Sequence, residues 1–415
     1  MKKRILPLFL GFFIYIFLIT NFIYFLSTTE NAEFVPSSFF SKYYETDYSN
    51  DLTSDVGTFI TDSTEDIEQS ILHFMQDVFT IRNDAFLNGN VEKLYKFYDI
   101  NQTFSSYSLE HEFKRIAFLR NWANKRSISF KNIESTPTIK SLKIKDGYYN
   151  LILSEEYKFN YYYDNNPDEL NTFGIQLIHN LELKDTGDSF IISKDYYEDY
   201  FKSGLEEYDF NLTEKNIDIN NLKPKLFNFN VERNPLSNGE YNIQSAINYA
   251  NKYSGISFAS KEKFNSNYFT YIAGDGNSAN FISQTLSDTL EGGGLSQDRM
   301  WFYKNTKSTR IKATSSWVKS EDLVNYLLNT NKFSITLSGN IEEILYNNTT
   351  SNKKINIGDL VVFKKGNYIE SIGIITDFDA NNYPLINSNS INTFKAPFDL
   401  GFEGDDFKCY ILSAN

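Results

Sequence analysis

This 415-residue chain has a single cysteine, Cys409, and three histidines, His73, His111 and His179. One thiol excludes an intrachain disulfide, so the domains must depend on core packing alone. No imidazole follows His179, which leaves the C-terminal half without the side chain that most often serves as a general base. A basic surplus is also missing. Forty Lys and Arg stand against 53 Asp and Glu, a formal net charge of −13. With no excess positive charge to neutralise phosphates, a nucleic-acid partner is excluded, as is docking on anionic lipid headgroups. Gly292-Gly293-Gly294 lacks the following Lys-Ser/Thr of a phosphate loop and reads as a helix stop. Asp275, Glu291 and Asp298 show no EF-hand spacing and read as solvated loop charge. No cofactor and no metal are expected.

What the chain has in abundance is aromatic: 37 Phe and 29 Tyr, enough large apolar surface for sizeable cores in two or three domains. Lys2, Lys3 and Arg4 precede an apolar run from Ile5 to Leu26. Its twenty-two residues would reach about 33 Å as a helix, enough to cross a bilayer. Residues 1–27 are therefore expected to form a transmembrane signal-anchor. The positive-inside rule then places the rest of an integral, single-pass cell-membrane protein outside the cell. Residues 28–60, rich in Ser, Thr, Asp and Tyr, read as a stalk.

From residue 61 the pattern is helical. Ile67, Ile71, Phe74, Val78, Ile81 and Ala85 recur at three and four residues, and Asn88-Gly89-Asn90 closes that helix. A short helix is expected from Val91 to about Tyr98. A third carries Leu109, Phe113, Ile116, Leu119 and Trp122 on one side, with Arg115, Arg120, Lys125 and Arg126 expected on a solvated face. His111, beside Glu110 and Glu112, reads as a surface histidine. The period then changes to two, with strands expected at Ser127–Phe130, Leu142–Lys145, Tyr148–Leu153, Tyr157–Tyr163, Gly174–Leu183 and Phe190–Lys194. Helices followed by a meander of strands give an α+β domain over 61–201. Its element order is similar to the NTF2-like (cystatin-like) cone, which implies either a ligand pocket lined from Tyr157 to Tyr163 or a partner surface. Residues 202–238 read as a linker.

Residues 239–415 repeat the α+β order. Ile243, Ala246, Ile247 and Ala250 mark an opening helix, a second begins near Ser278, and Glu321–Leu328 reads as a helix capped by Ser320. Trp301-Phe302-Tyr303 reads as a short strand. Strands are expected at Asp359–Phe363, Ile372–Thr376, Pro384–Ile386 and Tyr410–Leu412, and Cys409 is expected to pack.

Asn280-Phe281-Ile282-Ser283-Gln284, Trp301, Ser316-Trp317 and Gly358-Asp359-Leu360-Val361, together with the opening helix from Tyr241 to Ala250, resemble the putative amidase domain family. Arg82-Asn83-Asp84-Ala85, Leu109-Glu110-His111-Glu112 and Arg120-Asn121-Trp122-Ala123 resemble the region that precedes that domain, so the likeness spans about residues 60–415. It implies a papain-like cysteine hydrolase fold, related to the CHAP group and acting on cell-wall peptides. The family's Asp-Cys-Thr reads Asn277-Ser278-Ala279 here, its histidine falls at Ser371, and its polar partner falls at Asn389 in Asn387-Ser388-Asn389-Ser390. The resemblance thus implies Ser278, Ser371 and Asn389 as the catalytic positions, with thiol and imidazole both replaced. Two readings of Ser278 follow. It is either a helix-cap residue in a degenerate amidase that binds cell-wall peptide or another surface protein, or a serine nucleophile with Glu370 as base. A ligand-binding NTF2-like module is the third reading of the chain.

Overall fold

The computed structural model describes residues 62–415, apart from 220–223, 225–228, 235–240, 271–276, 306–310, 351–353 and 403–406. Two long helices open it, α1 (Asp62–Asn88) and α2 (Thr103–Lys125), separated by a 3-10 helix at Glu92–Phe97 where a short helix was expected. Four strands follow: β1 (Ile128–Lys145), β2 (Tyr148–Tyr163), β3 (Asn166–Asp185) and β4 (Phe190–Tyr196). The expected pairs of short strands in 127–145 and 148–163 are each one continuous strand. β1 and β2 pair antiparallel along their whole length, with register shifts at Phe130/Asn132 and Ile139/Ser141 that absorb twist.

The second half contains α4 (Ile243–Lys252), preceded by the one-turn α3 (Lys202–Leu205) and by β5 (Val231–Glu232). Then come α5 (Ser278–Ser287), β6 (Tyr303–Asn305), β7 (Ile311–Ala313), α6 (Ser315–Val318), α7 (Ser320–Asn329), β8 (Phe333–Gly339), α8 (Ile341–Thr350) and β9 (Ile355–Asn356). The chain ends with β10 (Leu360–Lys365), β11 (Tyr368–Phe378), β12 (Pro384–Asn389), β13 (Asn392–Pro397) and β14 (Phe407–Ala414).

Strands from both halves lie in one 10-stranded sheet, ordered β1-β2-β3-β13-β12-β11-β10-β14-β8, with β4 also on β3, while β5 pairs with β9 and β6 with β7 in two small sheets. The seam is narrow: Thr393 pairs with Ile175 and Phe394 with Gly174. Buried side chains flank it. Arg126 of the C-cap of α2 forms an ion pair with Asp399, and Trp122 Nε1 donates to Asp399 at 3.3 Å. The hydroxyls of Tyr161 and Tyr163 donate to Asp379 at 2.9 and 2.7 Å. The stretch expected as a linker also contributes packing, since Ile217 and Phe229 are buried and β5 pairs parallel with β9.

The expected architecture needs correction at the N-terminus. Among the described residues no helix is long and apolar enough to cross a membrane, and the fold is α+β with mixed sheets. The run Ile5–Leu26 and the stalk lie outside the described residues.

The basic face expected on α2 is corrected too. Arg115 and Arg126 are buried, at 1% and 7% exposure. Their partners come from distant strands and loops. Arg115 Nε meets Asp199 at 2.8 Å, and its Nη1 meets Glu112 at 3.1 Å and the Tyr157 hydroxyl at 2.8 Å. Arg82 binds both oxygens of Glu155, one at 3.2 Å, and stacks on the Phe79 ring at 4.3 Å. His179 bridges Asp195 (3.0 Å) and Glu155 (3.1 Å). His111, half-exposed, contacts Asp199 at 2.9 Å. These charges sit between α1, α2 and the sheet. The aromatic row Tyr157, Phe159, Tyr161 and Tyr163 is buried beside them at 0–3% exposure, with Phe159 stacked on Phe173 at 4.4 Å. That row fills a core rather than lining an open pocket.

His179 gives this core a pH dependence. Burial opposes its protonation, but the carboxylates of Asp195 and Glu155 outweigh it and hold the pKa up to about 9. A raised histidine pKa contributes stability that is full below the unfolded value near 6.5 and is lost as pH rises through the folded value. Unfolding free energy is therefore expected to fall by on the order of 3 kcal/mol between about pH 6.5 and 9. Urea midpoints across that range check it, and His179→Gln should flatten the profile.

Candidate functional site

α5 is buried along its whole length and packs on β11 and β12. A helix buried on every side must satisfy its polar side chains internally. Asn280 Nδ2 donates to Phe269 O (2.8 Å) and to Asn277 Oδ1 (2.8 Å), while its Oδ1 accepts from Trp317 Nε1 (2.8 Å). Ser283 Oγ donates to Trp317 O (3.0 Å) and accepts from Trp301 Nε1 (2.9 Å). Gln284 Oε1 accepts from the Tyr249 hydroxyl at 2.8 Å. Trp301 and Trp317 lie with ring centroids 5.4 Å apart, and both are fully buried.

Ser278 is the first residue of this helix, after the N-cap Asn277, and is 0% exposed. That position suits an anionic nucleophile, because the helix dipole and free N–H groups favour negative charge there. Its hydroxyl lies 3.2 Å from the Ser320 hydroxyl. Ser320, expected as a cap, instead opens α7 after the N-cap Lys319. The contact joins two helix N-termini through a pair of neutral hydroxyls.

Ser371 lies on β11 and is 3% exposed. Its hydroxyl is 2.7 Å from Ser390 Oγ and 3.3 Å from Ser388 Oγ, and Ser388 in turn donates to Ile372 O at 2.9 Å. Asn389 ends β12. Its carbonyl accepts the Asn277 N–H at 3.2 Å, and with the side-chain amide turned to the orientation its surroundings satisfy, its nitrogen donates to Ser254 O (3.2 Å) and Ser388 O (3.0 Å). The three positions implied from the sequence are thus brought into one region. Ser278 adjoins Asn277, Asn277 bonds Asn389, and the neighbours of Asn389 hold Ser371. The two hydroxyls nevertheless belong to separate pairs, Ser278 with Ser320 and Ser371 with Ser390.

Titratable groups are scarce among these partners. Glu370 is ion-paired with Lys202. Asp359 is pushed up to about 7, first by burial, with hydrogen bonds from Asn356 and Ser413 opposing the rise. It serves the turn before β10, accepting Asn356 N–H at 2.8 Å. Cys409 is fully buried in β14, where burial pushes its thiol well up, as expected of a packing residue. Among the described residues no group of three His, Cys, Asp or Glu could hold a metal ion, and Asp275 lies outside them.

Sequence reasoning singled out Ser278, Ser371 and Asn389 and did not point to Ser254 or to the pairing of Ser320. Ser254 carried no signal, since its contribution is a backbone carbonyl.

Residues 240–412, from the approach to α4 through most of β14, match the family model described as a putative amidase domain. The match covers under half of the chain and ends short of the N-terminal helices and long hairpins. No curated protein and no solved structure gives a significant match.

Proposed function

We propose that the amidase domain of this protein is a non-hydrolytic binding module for a peptide ligand, with cell-wall peptide as the ligand class that the amidase likeness suggests. The hydroxyl pair Ser278–Ser320 carries this reading. A serine attacks an amide only when a base removes its proton, and a second serine hydroxyl is no base at neutral pH. At the imidazole position Ser371 is likewise a hydroxyl, engaged with Ser390 and Ser388. Glu370, the carboxylate nearest Ser371 in sequence, is ion-paired with Lys202.

One observation favours the rival reading, a serine hydrolase: Ser278 stands in the first turn of a buried helix, where an oxyanion or alkoxide would be stabilised. A fluorophosphonate probe separates the two. No modification of Ser278 is expected, and no release of amine from peptidoglycan stem peptides, whereas calorimetry with the same peptides should register binding. Labelling of the native chain that disappears in Ser278→Ala, together with turnover, would overturn the proposal.

A further inference from the structure

The segment Ser254–Phe269 leads from α4 toward Ser278, and both its ends touch the site. Ser254 O accepts from the Asn389 side chain at 3.2 Å, and Phe269 O accepts from Asn280 Nδ2 at 2.8 Å. Between them the segment closes on itself, with Gly255 N–H donating to Lys263 O at 3.0 Å and Ala259 N–H to Ile256 O at 3.2 Å. It is a compact loop, mostly at the surface, with Ser254 and Ile256 buried at its start.

What holds its middle comes from the other half of the protein. Glu156, on β2 and only 8% exposed, accepts the Ser257 N–H at 2.9 Å and also takes the Ser257 hydroxyl and the Lys263 ammonium. Gln176 Nε2 approaches the same carboxylate at 3.5 Å and reaches β13 through Asn392. Beside it the Phe258 ring covers Gly174, where a Cβ would lie 2.2 Å from the ring, and meets Phe394 edge-on at 5.6 Å. Gly174 is also a residue of the β3–β13 seam. Within the C-terminal half Glu262 pairs with Lys252 at 3.1 Å, the Tyr268 hydroxyl donates to Asp288 at 2.8 Å and Phe269 N–H donates to the Tyr303 hydroxyl at 2.8 Å. Across the halves, Glu156 is the carboxylate that fastens the segment's middle, through charge-assisted bonds, the stronger kind.

We infer that Ser254–Phe269 is a strap over the Ser278–Asn389 site and that Glu156, from the N-terminal half, is the positioning residue that keeps it closed. The N-terminal half then controls access to the amidase site, whether that site binds or hydrolyses. Ser278, Ser371 and Asn389 are 0%, 3% and 3% exposed with the strap in place. On this inference a ligand reaching them displaces the strap, and the Glu156 contacts contribute to the cost of doing so.

The test uses the full chain carrying Ser278→Cys and Cys409→Ser, so that one reporter thiol sits at the site. In the Glu156→Ala background that thiol is expected to react with an aromatic disulfide reagent at least tenfold faster. Hydrogen exchange in 254–269 should rise as well, while exchange in β10 to β12 stays as before. Glu156→Gln, which still accepts from Ser257 but loses the Lys263 charge, should fall between. An unchanged thiol rate in Glu156→Ala overturns the inference. So does exchange that rises across the whole sheet, which would make Glu156 a fold residue with no gating role.

Discussion

Arg82→Ala is expected to remove about 3–5 kcal/mol of stability, a large share of the 5–15 kcal/mol that a folded domain commonly has. The guanidinium is 1% exposed and binds Glu155, itself 0% exposed, through two oxygens. Glu112 approaches Arg82 Nε at 3.8 Å. Truncation leaves Glu155 with His179 alone and opens a cavity between the Phe79 and Tyr157 rings that sandwich Arg82. Burial alone would raise the Glu155 pKa, but Arg82 and then His179 hold it down to about 2. Without Arg82 the carboxyl must either protonate or stay charged at high cost. Removing the pair together should hurt less, since Arg82→Met with Glu155→Leu replaces two buried charges by apolar volume. Urea denaturation reads both variants. A loss under 1 kcal/mol in Arg82→Ala would show that the network contributes little beyond packing.

The second large effect concerns residues 239–415 on their own. A chain of residues 239–415 is expected to lack a cooperative unfolding transition. Cut there, β13 loses its β3 partner, Asp399 loses Arg126 and Trp122, and Asp379 loses two tyrosine hydroxyls. Asp399 and Asp379 are 0% and 4% exposed in the intact protein, so the cut strands one buried ion and exposes another core face. An unpaired buried charge costs several kcal/mol before any apolar loss is counted. Far-UV circular dichroism during heating reads the outcome. A sharp transition in the fragment would mean that the two halves fold independently and merely share a sheet edge.

Much of this architecture was legible in the sequence. The three- and four-residue spacing of Ile71, Phe74 and Val78 marks α1, and period-two runs mark the hairpins, because local periodicity reflects which face is buried. The continuity of β2 was not legible. Ser154-Glu155-Glu156 looks like a break between two strands, yet Glu155 points at Arg82, 73 residues away, and Glu156 at Ser257, 101 residues away. Arg126 reads as a solvated charge for the same reason, since Asp399 lies 273 residues further on. Pairing across such distances leaves no local pattern. At the site, motif likeness singled out Ser278, Ser371 and Asn389, which the fold brings into one region, but the Ser278–Ser320 contact depends on how two helices approach each other, which no spacing encodes.

The hydrogen bonds around α5 have a consequence for how such a chain is recognised. Asn280, Ser283, Trp301 and Trp317, which make the sequence look like an amidase, spend their polar atoms on one another and on the adjoining Asn277 and Phe269. They are masonry. Replacing the thiol or the imidazole leaves that masonry standing, so recognition by these letters reports that the wall was kept and is silent on whether the door still opens.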